Sequence, residues 1–249
     1  CLHFRKLADA EFCESHYVMF CTKEGIIKKT CLKEYSRPRA NGVNAITIRE
    51  EDRVVSVALT NGTDEIVMAN RNGRAIRFNE STVRTMGRTA TGVRGMRLDE
   101  DGQDEVIGMV AVNNPETESI LVVSEKGYGK RSMIADYRVT NRSGKGVKTL
   151  SLTDKTGPVV AIKCVTDDDD LMIINKSGVA IRLKLSEVRV MGRATQGVRL
   201  INLEKRGDII SSVCQVPTEE EELPEAEEIS ESPVDSVSAE NPESPETQE

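Results

Sequence analysis

Four segments of the chain copy one another, and no other property restricts the possible fold as tightly. They read "VMFCTKEGIIKKTCLKEYSRPRANGVNAITI" from Val18, "IVMANRNGRAIRFNESTVRTMGRTATGVRGMRL" from Ile66, "ILVVSEKGYGKRSMIADYRVTNRSGKGVKTLSL" from Ile120 and "LMIINKSGVAIRLKLSEVRVMGRATQGVRLINL" from Leu171. A first glycine recurs at Gly25, Gly73, Gly127 and Gly178, at spacings of 48, 54 and 51 residues. A second recurs at Gly42, Gly92, Gly146 and Gly197, 19 residues after the first except in the opening repeat, where the gap is 17. Each unit reads as four short strands. An apolar run leads into a glycine turn that suits a hairpin needing positive φ. A second strand follows, then a polar connection, the second glycine and a third strand. The last strand is rich in Val and Ile: Val54 to Leu59, Val106 to Val112, Val159 to Val165 and Ile209 to Val216. Helical periodicity is absent, apart from a turn near Leu32 to Tyr35. Four strands at a period near 50 predict an all-β, propeller-like fold with blades near 18–59, 64–112, 118–165 and 169–216. Solenoid units are usually shorter or helical.

The basic residues keep the register of the repeat. Four positions after the first glycine stand Lys29, Arg77, Arg131 and Arg182; eleven after it, Arg84, Arg138 and Arg189; fifteen after it, Arg88, Arg142 and Arg193. The first repeat offers Arg37 and Arg39 nearby, and the third strands begin with Arg94, Lys148 and Arg199, against Asn44 in the first. Residues at i, i+2 and i+4 share one face of a strand. Met96 and Leu98, Leu150 and Leu152, and Ile201 and Leu203 are therefore expected between blades, with the basic member at the rim. Equivalent positions in a propeller fall at equivalent places around the disc, so the bases form a ring or stripe, the usual footprint of polyanion binding. Aromatic content is 3% with no tryptophan, which argues against stacking on single-stranded bases. Duplex phosphates, bound largely without regard to sequence, fit better.

Overall charge conceals this. The formal net charge is −7, yet residues 217–249 hold thirteen acidic residues and no Lys or Arg, which leaves 28 acids against 34 bases before them. This Glu/Pro/Ser-rich tail buries too little apolar surface to order itself and is expected to be disordered. It is either a solubilising tail or an internal polyanion competing for the basic body. The chain starts at Cys1 rather than Met and is expected to be a piece of a longer protein. No apolar run approaches the roughly 20 residues that span a bilayer, so no membrane partner is expected.

Cys21, Cys164 and Cys214 fall in apolar runs and read as reduced core thiols in a cytoplasmic protein. His3 and His16 lack a zinc spacing. The run Asp167 to Asp170 has no acidic counterpart in the other repeats and reads as a solvated turn rather than a metal site. No catalytic triad can be assembled from these residues.

The stretch "NRSGKG", Asn141 to Gly146, resembles a nucleotide loop only superficially. Position 139 is Val where G-x-x-x-x-G-K-[ST] needs Gly, Gly146 replaces the Ser or Thr, and a strand follows instead of a helix. Phosphate contact still suits its chemistry: Gly144 and Gly146 would let the turn approach a duplex while Arg142, Lys145 and Lys148 supply charge.

"NRNGRAIRF", "MGRTATGVRG", "SEKGYGKRS" and "MGRATQGVRLINL" together resemble the C-terminal domain of DNA gyrase A, across residues 1–216 and through every repeat. The resemblance implies a β-pinwheel whose blades exchange strands, and duplex DNA wrapped around its basic perimeter. The holoenzyme it implies is an ATP-dependent type II topoisomerase that introduces negative supercoils in the bacterial cytoplasm. The contact that makes the gyrase A dimer and the catalytic tyrosine would lie upstream, and gyrase B is the partner. No cofactor is expected in this segment; ATP and magnesium would serve other domains. The family's box Q-R-R-G-G-K-G agrees with Thr140 to Gly146 at Arg142, Gly144, Lys145 and Gly146, a degenerate copy in a later blade. Two rival readings are the corresponding domain of topoisomerase IV, and a propeller serving as a protein-interaction scaffold.

Overall fold

Glycine turns interrupt the β-branched runs every few residues, so the chain builds short antiparallel strands. The computed structural model describes residues 7–37, 39–100, 102–203 and 207–217. Apart from Pro217, the acidic tail expected to be disordered lies outside them. The chain enters through one helix, α1 (Ala10–Ser15), whose N-cap Asp9 accepts a hydrogen bond from the Phe12 amide at 3.1 Å.

The first repeat supplies β1 (Tyr17–Thr22), β2 (Ile26–Cys31) and β3 (Val54–Thr60). The second supplies β4 (Glu65–Asn70), β5 (Arg74–Asn79), β6 (Val93–Arg94) and β7 (Val106–Val112). The third supplies β8 (Ser119–Ser124), β9 (Tyr128–Met133), β10 (Val147–Lys148) and β11 (Val159–Val165). The fourth supplies β12 (Asp169–Asn175), β13 (Ala180–Lys184), β14 (Val198–Arg199) and β15 (Ile210–Pro217). A 3-10 turn closes each second strand, at Leu32–Tyr35, Glu80–Thr82, Ile134–Asp136 and Leu185–Glu187; the sequence pattern points only to the first.

Strand order shows that the repeat and the blade are not the same unit. The sheets run β3-β1-β2-β6, β10-β5-β4-β7 and β11-β8-β9-β14, and the last is β13-β12-β15. The third strand of each repeat therefore completes the preceding blade, Val93 opposite Ile27 and Arg94 opposite Ile26, for example. It is two residues long, shorter than the expected alternating strand, and the first repeat forms none among the described residues. Met96, Leu150 and Leu203 are nevertheless buried as expected, whereas Ile48 of the first repeat is exposed.

The core lies between blades and follows the period of two along each first strand. Met19 and Cys21 of β1 pack with Ile66 and Met68 of β4. The alternate residues Val67 and Ala69 of β4 pack with Ile120 and Val122 of β8. Leu121 and Val123 of β8 pack in turn with Leu171 and Ile173 of β12. The outer face of blade 1 is covered by α1, with Cys13 against Val18, Phe20 and Leu32. Burying each Val, Leu, Ile, Phe or Met side chain among them contributes about 1.5–3 kcal/mol.

Cys21 is buried and Cys164 half-buried, and burial pushes both thiols up from their ordinary range. Cys214 is exposed, contrary to its apolar context. It alternates with Val213, which takes the side of β15 that faces the core.

Candidate nucleic-acid interface

In the second, third and fourth repeats the connection between second and third strands is held against the preceding blade. The Met86, Thr140 and Met191 amides donate to the carbonyls of Lys29, Arg77 and Arg131 at 2.7, 2.8 and 2.8 Å. Short parallel bridges form beside them, Lys29 with Thr85, Arg77 with Val139 and Arg131 with Val190. Arg84, Arg138 and Arg189 each stand one residue before the bridge, in the same setting on three successive connections, and all three are exposed. Arg94, Lys148 and Arg199 close the borrowed strands and are also exposed. Arg199 donates to the Tyr128 hydroxyl at 3.1 Å and lies over that ring.

Arg142 and Arg193 are half-buried and orient this surface. Arg142 donates from Nε to the Thr82 carbonyl at 3.1 Å and from Nη1 to the Arg94 carbonyl at 3.0 Å. Arg193 makes the same pair of bonds one blade on, to Asp136 at 3.0 Å and Lys148 at 2.9 Å. A guanidinium has five N–H donors, so these contacts fix it without exhausting it. Arg88 occupies the equivalent position and lines a cavity of about 900 Å³ beside blade 1 with Lys33, Arg37 and Arg39. Lys145 is exposed and pairs with Asp99 at 3.0 Å, which holds that carboxyl below its usual range.

The bases four positions after the first glycine do something else. Lys29, with its side chain 6% exposed, pairs at 2.9 Å with Glu80, which is fully buried. Glu80 also accepts from the Thr60 hydroxyl and from the amides of Gly62 and Asp64. Arg77 pairs with Glu65 and donates to the Ile134 and Tyr137 carbonyls of the next repeat. Arg131 donates to the Val188 carbonyl at 3.0 Å and pairs with Asp167 at 2.5 Å. Lys29 and Arg131 are buried and Arg77 is mostly so, and all three are engaged in ties within the protein, which corrects the reading of them as phosphate contacts. Arg182 bonds Asp170 at 2.6 Å and is exposed. The acidic run Asp167–Asp170 thus supplies ion-pair partners to two of the repeated bases, rather than a merely solvated turn.

The glycines serve the same packing. A Cβ at Gly25, Gly73 or Gly127 would stand 2.6–2.7 Å from a backbone carbonyl oxygen of the next repeat. At Gly146 it would meet the Ala75 carbonyl at 2.3 Å, and at Gly92 and Gly197 carbonyls of β2 and β9. Gly146 is therefore required by the protein strand beside it, not by a duplex. Gly144 faces Ile76, while a Cβ at Gly42 or Gly178 would meet open space.

Among the described residues no cluster of His, Cys, Asp and Glu could hold a metal ion, and no helix is long and apolar enough to cross a membrane.

Interlocked blades, with exposed bases in register on three successive connections, define a repeat β-propeller. The family model described as the DNA gyrase C-terminal domain, beta-propeller, matches residues 16–61, 64–113, 118–166 and 169–214, and the chain belongs to that family. DNA gyrase A of Staphylococcus aureus strain NCTC 8325 is 44% identical over 223 residues, 89% of this chain. Strain MRSA252 gives the same identity over 217 residues, 86% of this chain. The chain spans only about a quarter of these relatives' length, 25% and 24%. A solved C-terminal domain of DNA topoisomerase IV superposes with a TM-score of 0.76 at 28% identity, over 84% of this chain and 64% of that one. A solved DNA gyrase A C-terminal domain gives 0.73 at 26%, over 82% and 66%.

Proposed function

We propose that this region binds duplex DNA along the rim carrying Arg84, Arg138 and Arg189 with Arg94, Lys148 and Arg199, and wraps it for a gyrase. The observation that carries the reading is the recurrence of exposed bases in one local setting on successive connections. Most of their charge faces solvent, while Lys29, Arg77 and Arg131 are paired with carboxylates within the protein. A wrap of 20–30 base pairs costs roughly 1–6 kcal/mol of bending, so contacts spread over several blades must act together. The region is then the DNA-wrapping part of gyrase A in an ATP-hydrolysing type II topoisomerase of the bacterial cytoplasm. Strand cleavage by a tyrosine, the gyrase A dimer contact, ATP and magnesium belong to other parts of that enzyme, and gyrase B is its partner.

The test is the binding of a fluorescent 40-base-pair duplex to the full chain at 50 and 200 mM salt. Affinity is expected to fall by roughly a thousandfold or more if six or more phosphates are contacted. Binding that is absent, or insensitive to salt, overturns the reading and favours a protein-interaction scaffold. The fit to the topoisomerase IV domain keeps that enzyme as a second reading. Plasmid relaxed beforehand and treated with the holoenzyme and ATP distinguishes them: a gyrase introduces negative supercoils.

A further inference from the structure

Three residues after the first glycine the repeats alternate between Lys28, Ile76, Lys130 and Ile181. Neither lysine presents any surface to solvent. Lys28 Nζ donates to the Ala45 carbonyl at 2.5 Å and to the Arg88 carbonyl of the next repeat at 2.6 Å. Lys130 Nζ donates to the Gly192 carbonyl of the next repeat at 2.7 Å and to Ser132 Oγ at 2.9 Å; that hydroxyl donates to the Met191 carbonyl. Among the described residues neither ammonium has a carboxylate within ion-pair distance, in contrast to Lys29, Arg77, Arg131 and Arg182. A cation buried without a carboxylate partner costs stability, and an aliphatic residue fills the same place in the other two repeats.

We propose that Lys28 and Lys130 are positioning residues for DNA binding, each clamping the backbone of the next repeat's basic connection and placing beneath it a positive charge that has no ion-pair partner among the described residues. This rests on the DNA-binding function proposed above. The clamp acts where it matters, at the residue carrying Arg88 and at the residue before Arg193. Where Ile76 replaces the lysine, a cavity of about 300 Å³ opens beside the connection, and Lys145 from that connection lines it instead.

Burial, aided by Arg88, lowers Lys28 to about 8, with Glu34 opposing. Burial and Arg193 lower Lys130 to about 8, with Asp136 opposing. Phe20 lies 5.2 Å from the Lys28 ammonium, and Tyr35 donates to the same Ala45 carbonyl. Burial raises the Tyr35 and Tyr137 phenols, which stay neutral through this range. A polyanion bound on the rim favours the charged lysines, so DNA binding takes up protons and affinity falls as pH rises through about 8.

Affinity of the full chain for a 40-base-pair duplex is measured at low salt from pH 7 to pH 9.5, for wild type, Lys28→Met/Lys130→Met and Lys28→Ile/Lys130→Ile. The wild type is expected to lose affinity roughly three- to tenfold across that range, as fits two charges acting through partly screened surroundings. The double variants are expected to bind weakly at pH 7, with that pH dependence removed. Folded variants with wild-type affinity and profile would assign the lysines a structural role alone and overturn the proposal. Should neither variant fold, a flat wild-type profile from pH 7 to pH 9.5 overturns it and a falling one supports it. Wild type without salt-sensitive binding overturns the DNA-binding function and this inference together; salt-sensitive binding with unaffected variants overturns only the inference.

Discussion

Glu80 shows how a single side chain can be hidden in plain view. In the register of the repeat it occupies the column of Leu32, Ile134 and Leu185, all buried apolar residues. A carboxylate in an apolar column is a signal, and it marks the one blade junction where the tie is Lys29 rather than an arginine reaching carbonyls. Replacing Glu80 with Ala leaves Lys29 buried and unpaired, and should cost about 3–5 kcal/mol in urea unfolding. A loss below about 1 kcal/mol would show that Lys29 finds water instead. The buried lysines carry the opposite sign of effect. Their folded pKa of about 8 lies below the ordinary 10.5, so the unfolded chain binds more protons between those values. Stability of the wild type relative to Lys28→Met/Lys130→Met should therefore improve as pH rises from 7.5 to 9.5, by about 1–3 kcal/mol. The sequence revealed that bases recur; it could not reveal their depth, because Lys28 and Lys29 point to opposite faces of one strand and both are buried by groups brought from distant parts of the chain.

At the level of elements, the first strands and their turns were legible because glycine spacing and a period of two act within a few residues. The borrowed strands were not legible from local pattern. "GVRGM" and "GVRLI" specify a strand but not which sheet it joins, and that is decided by the carbonyl of a glycine one repeat earlier. The Gly95, Thr149 and Leu200 amides donate to the Gly25, Gly73 and Gly127 carbonyls respectively, each at 2.8 Å. A matched pair of substitutions tests the point. Gly127→Ala places a Cβ 2.6 Å from the Ile201 carbonyl at φ +86°, while Gly178→Ala has the same φ with nothing nearby. The left-handed conformation alone costs about 1–2 kcal/mol. Gly127→Ala should exceed Gly178→Ala by at least about 1 kcal/mol in thermal or urea unfolding. Equal costs would mean that the borrowed strand is loosely held.

Across the whole molecule, DNA affinity is expected to be a sum over blades rather than the property of one motif. Arg84→Ala/Arg138→Ala/Arg189→Ala should leave the fold intact, since these side chains are exposed, and make the plot of log affinity against log salt shallower by about 2–3. An unchanged slope would place the phosphates elsewhere. The "NRSGKG" loop illustrates the same division of labour: Arg142 ties the connection to the Thr82 and Arg94 carbonyls, Gly146 fits the neighbouring strand, and Lys145 pairs with Asp99. The lending of strands also has a consequence in time. No blade among the first three is complete when its own repeat has been made. At a synthesis rate of about 5–20 residues per second, a repeat of this size takes several seconds to follow. Until then the second strand of each newly made blade has a bare edge, and each new repeat finishes the one before it. Such a chain folds behind its own synthesis by one step, and a pause within any repeat leaves its predecessor exposed.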